Sequence, residues 1–269
     1  MQLIKKVKPN IIFHGVLVFI ALSFLLTYLI DIVNLFGIKE QMIQNLEVPY
    51  FWHHWFTTPV EIPLQWILLA LTGLFFMLTA GIAYERKDRH TFYFLTLLSI
   101  GLLLMLIEDA GDVRHAYRRA LERILVGETS YGYFGTIFEL FYFAFIAAIM
   151  VYALWRYKDV YWKYIDAKKY LLIGYIFYAL GVSASFTGNV SRVLIGFNVY
   201  EAMGGYVLKS FFIRDEITKL AYEVASENSR VDYNFMNYAV EESLELIGAG
   251  ALLVAGIYFF NSYRIKVSK

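Results

Sequence analysis

The chain has 269 residues, of which 59% are hydrophobic and 17% are charged, and its formal net charge is +1. A soluble domain usually carries about 25% charged residues, so this composition is typical of a membrane protein. The near-zero charge gives no basis for nucleic-acid binding through a basic face, and the absence of cysteine excludes disulfides, thiolate metal sites and cysteine nucleophiles.

Six apolar segments are long enough to cross a bilayer as helices, which takes about 20 residues each. Barrel strands would instead alternate apolar and polar residues, so we predict an all-α fold: a polytopic six-helix bundle that forms a single transmembrane domain over residues 1–269. The first segment is too long for the apolar core of a signal peptide, and we interpret it as a retained span. The predicted spans cover residues 11–36, 62–84, 91–112, 132–155, 170–190 and 237–261.

The distribution of Lys and Arg predicts how the spans are oriented. These residues are most frequent in the segments that face inward if both termini are cytoplasmic, for example residues 86–89 and 156–169. The positive-inside rule therefore predicts a multi-pass protein of the cell membrane with both termini in the cytoplasm. Four arginines between residues 114 and 123 lie on the predicted outer side and run against this pattern.

Two segments on the predicted outer side are unusual. Residues 49–56 are almost entirely aromatic or histidine, and we expect them to lie at the lipid–water boundary. In the extracytoplasmic segment of residues 191–235, apolar and charged residues alternate over 206–226. This pattern predicts an interfacial amphipathic helix, although an ordinary solvated helix has the same pattern.

Acidic residues and one histidine gather at the predicted outer ends of the spans. Ionisable side chains in a span cost about 2.5–3.5 kcal/mol each on insertion, and they usually face the bundle interior. Helical spacing puts the members from span 3 on one stripe, and small residues beside the members from span 6 indicate close helix contact. We therefore predict a shared pocket near the outer face. Its members are Glu108, Asp112, His115, Glu139, Glu241, Glu242 and Glu245.

A metal site is the leading functional hypothesis for this pocket. Carboxylates with one imidazole suit iron, manganese or zinc, so a divalent metal could serve chemistry on a hydrophobic substrate in the membrane. Glu108 would act as a catalytic general base or as a hydrogen-bond acceptor beside the metal ligands. No residues in the sequence give evidence for haem, retinal or nucleotide. The predicted metal ligands are Asp112, His115, Glu139, Glu242 and Glu245.

Two alternatives remain open. The acids could form structural ion pairs with Arg114, Arg118 and Arg119 in an accessory or assembly subunit of a larger membrane complex, whose partners would be lipid and other membrane subunits. The acids could also serve a cation- or proton-coupled transporter, but the inner halves of spans 3 and 6 are apolar and offer no continuous polar path.

Overall fold

The computed structural model describes residues 8–46, 48–57, 61–125, 127, 133–213 and 216–265. These residues form helices joined by short turns, with no strand among them, which confirms the all-α prediction. Three π-helical segments, Tyr28–Ile32, Leu208–Phe212 and Phe235–Glu241, adjoin α-helices. The α-helices are α1 (Asn10–Thr27), α2 (Ile38–Asn45), α3 (Phe51–Thr57), α4 (Glu61–Glu85), α5 (Arg89–Gly111), α6 (Val113–Leu125), α7 (Tyr133–Arg156), α8 (Lys158–Trp162), α9 (Ile165–Ile195), α10 (Val199–Val207), α11 (Glu216–Ser229), α12 (Val231–Asn234) and α13 (Glu242–Ile265).

Five helical stretches of the described chain are long and apolar enough to cross a membrane, and each overlaps a predicted span. The remaining predicted span, residues 170–190, lies inside α9, which is not one of the five, so the count of six stays a prediction. The five stretches are compatible with a membrane protein by their length and apolar composition. They are Asn10–Ile32, Ile62–Glu85, Arg89–Gly111, Phe134–Arg156 and Val231–Arg264.

The chain divides into two compact units. Unit 1 contains the described residues of 1–13, 64–178 and 247–269, and unit 2 contains those of 14–63 and 179–246. The prediction of a single transmembrane domain stays a prediction.

Glycines bring α9 and α13 into close contact in unit 1. A Cβ added to Gly174 would lie 3.0 Å from the backbone oxygen of Gly248 and 2.5 Å from Cγ of Leu252. A Cβ added to Gly248 would lie 3.0 Å from the backbone of both Gly174 and Tyr178. Close approach of backbones is the reason small residues mark helix contacts in membranes. The close helix contact predicted from the small residues of span 6 is therefore confirmed at Gly248.

A polar contact joins α5 and α13 at the other end of unit 1. Asp88 caps α5 by accepting a hydrogen bond from the backbone N–H of Thr91, and Tyr263 of α13 donates its hydroxyl to Asp88. Burial opposes ionisation of this carboxyl, but the hydrogen bonds from Tyr263 and Thr91 outweigh it and lower the pKa of Asp88. This end of α13 is therefore fixed to the start of α5.

Unit 2 has an aromatic core built around the segment of residues 49–56. Trp52 and Phe56 are completely buried and Tyr50 is 1% exposed. Trp52 meets the ring of Phe235 edge-on at 5.1 Å. The helix α3 therefore turns these rings into a protein core that the sequence pattern does not reveal, and the position of the segment at the lipid–water boundary stays a prediction.

Asp31, near the end of the first apolar helix, fixes the start of α3. Its two carboxylate oxygens accept hydrogen bonds from the backbone N–H groups of Phe51, at 2.6 Å, and Trp52, at 2.9 Å. Asp31 is fully buried, and these donors are the type that a helix start leaves unsatisfied. This acid of span 1 therefore has a structural task inside unit 2.

The predicted amphipathic helix over 206–226 forms as separate pieces. The chain leaves the π-helix Leu208–Phe212 at Ile213, whose backbone is extended, and α11 starts at Glu216. Before the break, α10 packs tightly on α12, because a Cβ on Gly204 would lie 1.9 Å from the backbone oxygen of Asp232. The helical prediction is therefore confirmed for the part that lies in α11.

Candidate functional site

The predicted stripe of span 3 is interrupted by a kink at Asp112. The helix α5 ends at Gly111, Asp112 has a left-handed backbone with φ of 47°, and α6 begins at Val113. Asp tolerates this conformation better than most residues. The assumption of one continuous helix is therefore wrong, and the angular relationship predicted between Glu108 and His115 does not apply.

Glu108 is held by the first turn of α6. One carboxylate oxygen accepts a hydrogen bond from the backbone N–H of Arg114 at 2.8 Å, and the other lies 3.3 Å from Nε of Arg114. The guanidinium of Arg114 also lies over the ring of Phe143 in α7, 4.7 Å from its centre. The predicted catalytic base, Glu108, is thus buried and paired with Arg114, which links the end of α5 to the start of α6 and contacts α7. The role of Glu108 as a base stays a prediction.

His115 lies between two of the predicted metal ligands. Its Nδ1 contacts Oδ1 of Asp112, and its Nε2 lies 3.6 Å from Oε1 of Glu139. The two carboxylates therefore approach different nitrogens of one ring, so they do not converge with the imidazole on a single point. A shared ion would need all three within about 2.0–2.3 Å of one centre.

Arg118 completes the contact between α6 and α7. Its Nη1 lies 3.2 Å from Oε1 of Glu139, and its Nε lies 3.9 Å from Oε2 of Glu122. The side chain of Glu139 is only 2% exposed. Glu139 is thus charge-compensated by the guanidinium of Arg118.

No group of three or more His, Asp or Glu side chains among the described residues is arranged to hold a metal ion. The metal-ligand hypothesis therefore gains no support from the arrangement of Asp112, His115 and Glu139.

The acids of span 6 belong to unit 2. Glu241 accepts a hydrogen bond from the hydroxyl of Tyr200 at 2.9 Å. Glu245 is 7% exposed and lies against α9, where a Cβ on Gly181 would come within 2.6 Å of its Cγ. Glu242 follows at the first position of α13 and is partly exposed. The shared pocket that would join these residues to those of span 3 stays a prediction.

A polar triad that the sequence reasoning missed joins three helices of unit 1. Oδ2 of Asp109 accepts hydrogen bonds from Nε2 of Gln65 at 2.9 Å and from the hydroxyl of Tyr178 at 2.6 Å. Gln65 also donates to the Tyr178 oxygen at 2.9 Å. Gln65 is the only amide in the predicted span 62–84, and this isolated polar residue is the signal that could have pointed to the triad.

Comparison of the chain with models of known protein families, with curated proteins and with solved structures finds no match.

Proposed function

We propose that the chain is an accessory or assembly subunit of a larger membrane complex, with six spans in the cell membrane, both termini in the cytoplasm and a helix at the outer surface. Its buried acids would act as structural ion pairs that fix the position of the helices. The observation that carries this proposal is the pairing of Glu139 with Arg118 and His115 across the contact of α6 and α7.

The charge balance of unit 1 supports this function over a metal enzyme. A carboxylate that binds a catalytic metal must direct its lone pairs to the ion, whereas Glu108 and Glu139 direct theirs to Arg114 and Arg118. Removing one partner of such a buried pair leaves an uncompensated charge, so the pairs specify one arrangement of α5, α6 and α7. That is the property expected of a rigid subunit rather than of an open catalytic site.

The test is purification of the tagged full-length chain from its native membranes in a mild detergent. We expect one or more partner subunits in a fixed ratio to this chain. Glu139→Gln, which unbalances the buried pair, should lower the recovery of partners. Glu201→Gln, which removes an exposed pair with Arg230, is the matched control and should not lower it. A chain that purifies alone and monodisperse would overturn the proposal.

The triad of Asp109, Gln65 and Tyr178 favours a second candidate, a proton- or cation-coupled transporter. Within the described part of the chain, the groups that donate hydrogen bonds to Asp109 are neutral. The salt bridge of Arg114 is formed with the neighbouring acid, Glu108. A buried acid near the end of a membrane helix is costly, and such residues often serve proton or cation movement.

Measurement of proton or cation flux into proteoliposomes tests the transport candidate. Asp109→Asn should abolish flux coupled to a proton gradient, while the exposed Asp166→Asn should leave it unchanged. Flux that survives Asp109→Asn, Glu139→Gln and Glu245→Gln would remove this candidate.

A further inference from the structure

The helix α11 of unit 2 presents three different faces. Its inner face carries Thr218, Tyr222 and Ala225, all of which are buried. Tyr222 also donates its hydroxyl to Asp232 at 2.6 Å, which ties the helix to the start of the last apolar stretch. The orientation of α11 on unit 2 is therefore defined by packing and by a hydrogen bond.

The second face of α11 is apolar and exposed. Ile217 is 69% exposed, Leu220 is 64% exposed and Val224 is 51% exposed. Their spacing of three and then four residues puts them on one stripe of the helix, directed away from the buried face. A 14-residue helix is too short to cross a bilayer, so this stripe needs another explanation than the apolar surface of a span.

The third face borders the stripe with acids. Glu216, Glu223 and Glu227 are all exposed and fall on one side of the helix, next to the apolar stripe. The single basic residue of α11, Lys219, lies on the far side of this acidic row. The stripe together with the row forms a surface that we name the α11 surface.

We propose that the α11 surface binds an amphipathic helix of a partner subunit, with apolar residues at three- and four-residue spacing and with Lys or Arg along the edge that meets the acidic row. Apolar anchors on one face of a helix are a common recognition mode, and complementary charge at the rim sets orientation and partner choice. This inference rests on the proposed function, because it names the surface and the chemistry by which such a subunit would assemble.

The acidic row also argues against two other occupants. An anionic bilayer surface attracts helices with Lys and Arg on the polar face, whereas α11 would bring three carboxylates toward it. An antiparallel second copy of the chain would place two acidic rows on the same side of the contact, where like charges repel. A basic partner helix satisfies both the stripe and the row.

The experiment uses the full-length chain in nanodiscs of zwitterionic lipid and two labelled synthetic helical peptides. Both peptides carry the same apolar stripe, which is flanked by Lys in one peptide and by Glu in the other. Fluorescence anisotropy measures peptide binding, and the signal from nanodiscs without protein is subtracted. We expect the Lys peptide to bind at least tenfold more tightly than the Glu peptide. Glu223→Lys/Glu227→Lys should reverse that preference, and Leu220→Gln should weaken binding about tenfold.

A matched control separates the α11 surface from net charge. Glu85→Lys/Asp166→Lys makes the same charge change at exposed positions of unit 1 and should leave the preference intact. Equal binding of the two peptides, or a preference that the α11 variants do not alter, would overturn the proposal.

The two rejected occupants have their own readouts, which are simple because the chain has no cysteine. A label on Leu220→Cys that is quenched by nitroxides on lipid chains as strongly as a label on Leu140→Cys would identify the bilayer as the occupant. Efficient disulfide formation between two Leu220→Cys chains would identify a second copy.

Failure of this inference and failure of the proposed function are distinguishable. If partners purify with the chain but the α11 variants retain them and the peptides do not discriminate, the surface is wrong and the function stands. If the peptides discriminate but no partner purifies with the chain, the function is wrong.

Discussion

Arg118 in α6 reaches Glu139 in α7, with Nη1 3.2 Å from Oε1, and the two side chains are 12% and 2% exposed. Removing one partner from such a buried pair leaves a charge without compensation. We expect Glu139→Gln and Arg118→Met each to destabilise the chain by about 3–5 kcal/mol. The double substitution Arg118→Met/Glu139→Met should lower the unfolding free energy by much less than the two single substitutions added together. A double-mutant cycle of unfolding in detergent measures this coupling.

The exposed pair of Arg230 and Glu201 is the matched comparison. Its N–O distance is shorter, at 2.8 Å, but the side chains are 52% and 41% exposed. Solvent screens such pairs, so Glu201→Gln should cost about 0–1 kcal/mol. A cost for Glu139→Gln as small as that of Glu201→Gln would contradict the structural role of the buried pair.

The close contact of α9 with α13 leads us to expect that a single added methyl group lowers the unfolding free energy. In Gly174→Ala the new Cβ would meet Leu252 and the backbone of Gly248, so we expect a loss of about 1–3 kcal/mol in unfolding free energy from overpacking. Gly81→Ala in α4 is the control, because nothing lies within 4 Å of its added Cβ. That substitution should stabilise the helix by up to about 1 kcal/mol.

The hydrogen bonds of Asp31 lead us to expect that Asp31→Asn lowers the stability of unit 2. Asn keeps the size of the side chain but has one acceptor oxygen where Asp has two, so Asp31→Asn should cost about 1.5–3 kcal/mol, the value of one hydrogen bond to a charged group. Hydrogen exchange should show faster exchange at the amide of Phe51 or Trp52. Asp166→Asn, at an exposed position, should change neither quantity, and unchanged exchange in Asp31→Asn would refute the assignment.

The lowered pKa of His53 in α3 leads us to expect that the unfolding free energy depends on pH. Burial, with the neighbouring His54, lowers the pKa of His53 from 6.5 to about 4. The unfolded chain therefore binds the proton first as pH falls. The contribution of His53 to stability should be complete above pH 6.5 and should decline as pH falls toward 4.

Unfolding of the wild type and of His53→Gln, measured between pH 7.5 and 4.5, checks this dependence. The variant should lose less stability over that range. His90→Gln should retain the wild-type dependence, because His90 is exposed in unit 1. A His53→Gln profile identical to that of the wild type would contradict the assignment.

Length and apolar composition are sufficient to predict the long apolar helices. The predicted spans 62–84 and 91–112 agree within about two residues with the observed stretches Ile62–Glu85 and Arg89–Gly111, because a bilayer imposes a minimum apolar length that the sequence must meet. The helix α6 is not among the predicted elements, because its charged sequence does not meet the apolar length of a span. Its polar face instead packs against Glu139 of α7.

The predicted site could be reached only in part from the sequence. His115 contacts Asp112 and lies near Glu139, as span order suggests, but helical spacing does not report the left-handed backbone at Asp112, which redirects the following side chains. Nor could spacing show that Asp109, rather than Glu108, faces Gln65. Such contacts depend on helix rotation, and one residue changes that rotation by 100°.

Metal content of the purified full-length chain tests most directly whether the buried acids are structural ion pairs. The measurement is elemental analysis of protein prepared without chelators, for the wild type and for Asp112→Ala/His115→Ala. Because Arg114 and Arg118 already compensate Glu108 and Glu139, we predict no stoichiometric iron, manganese or zinc in either protein. One or two ions per chain in the wild type, lost in the double variant, would contradict this account.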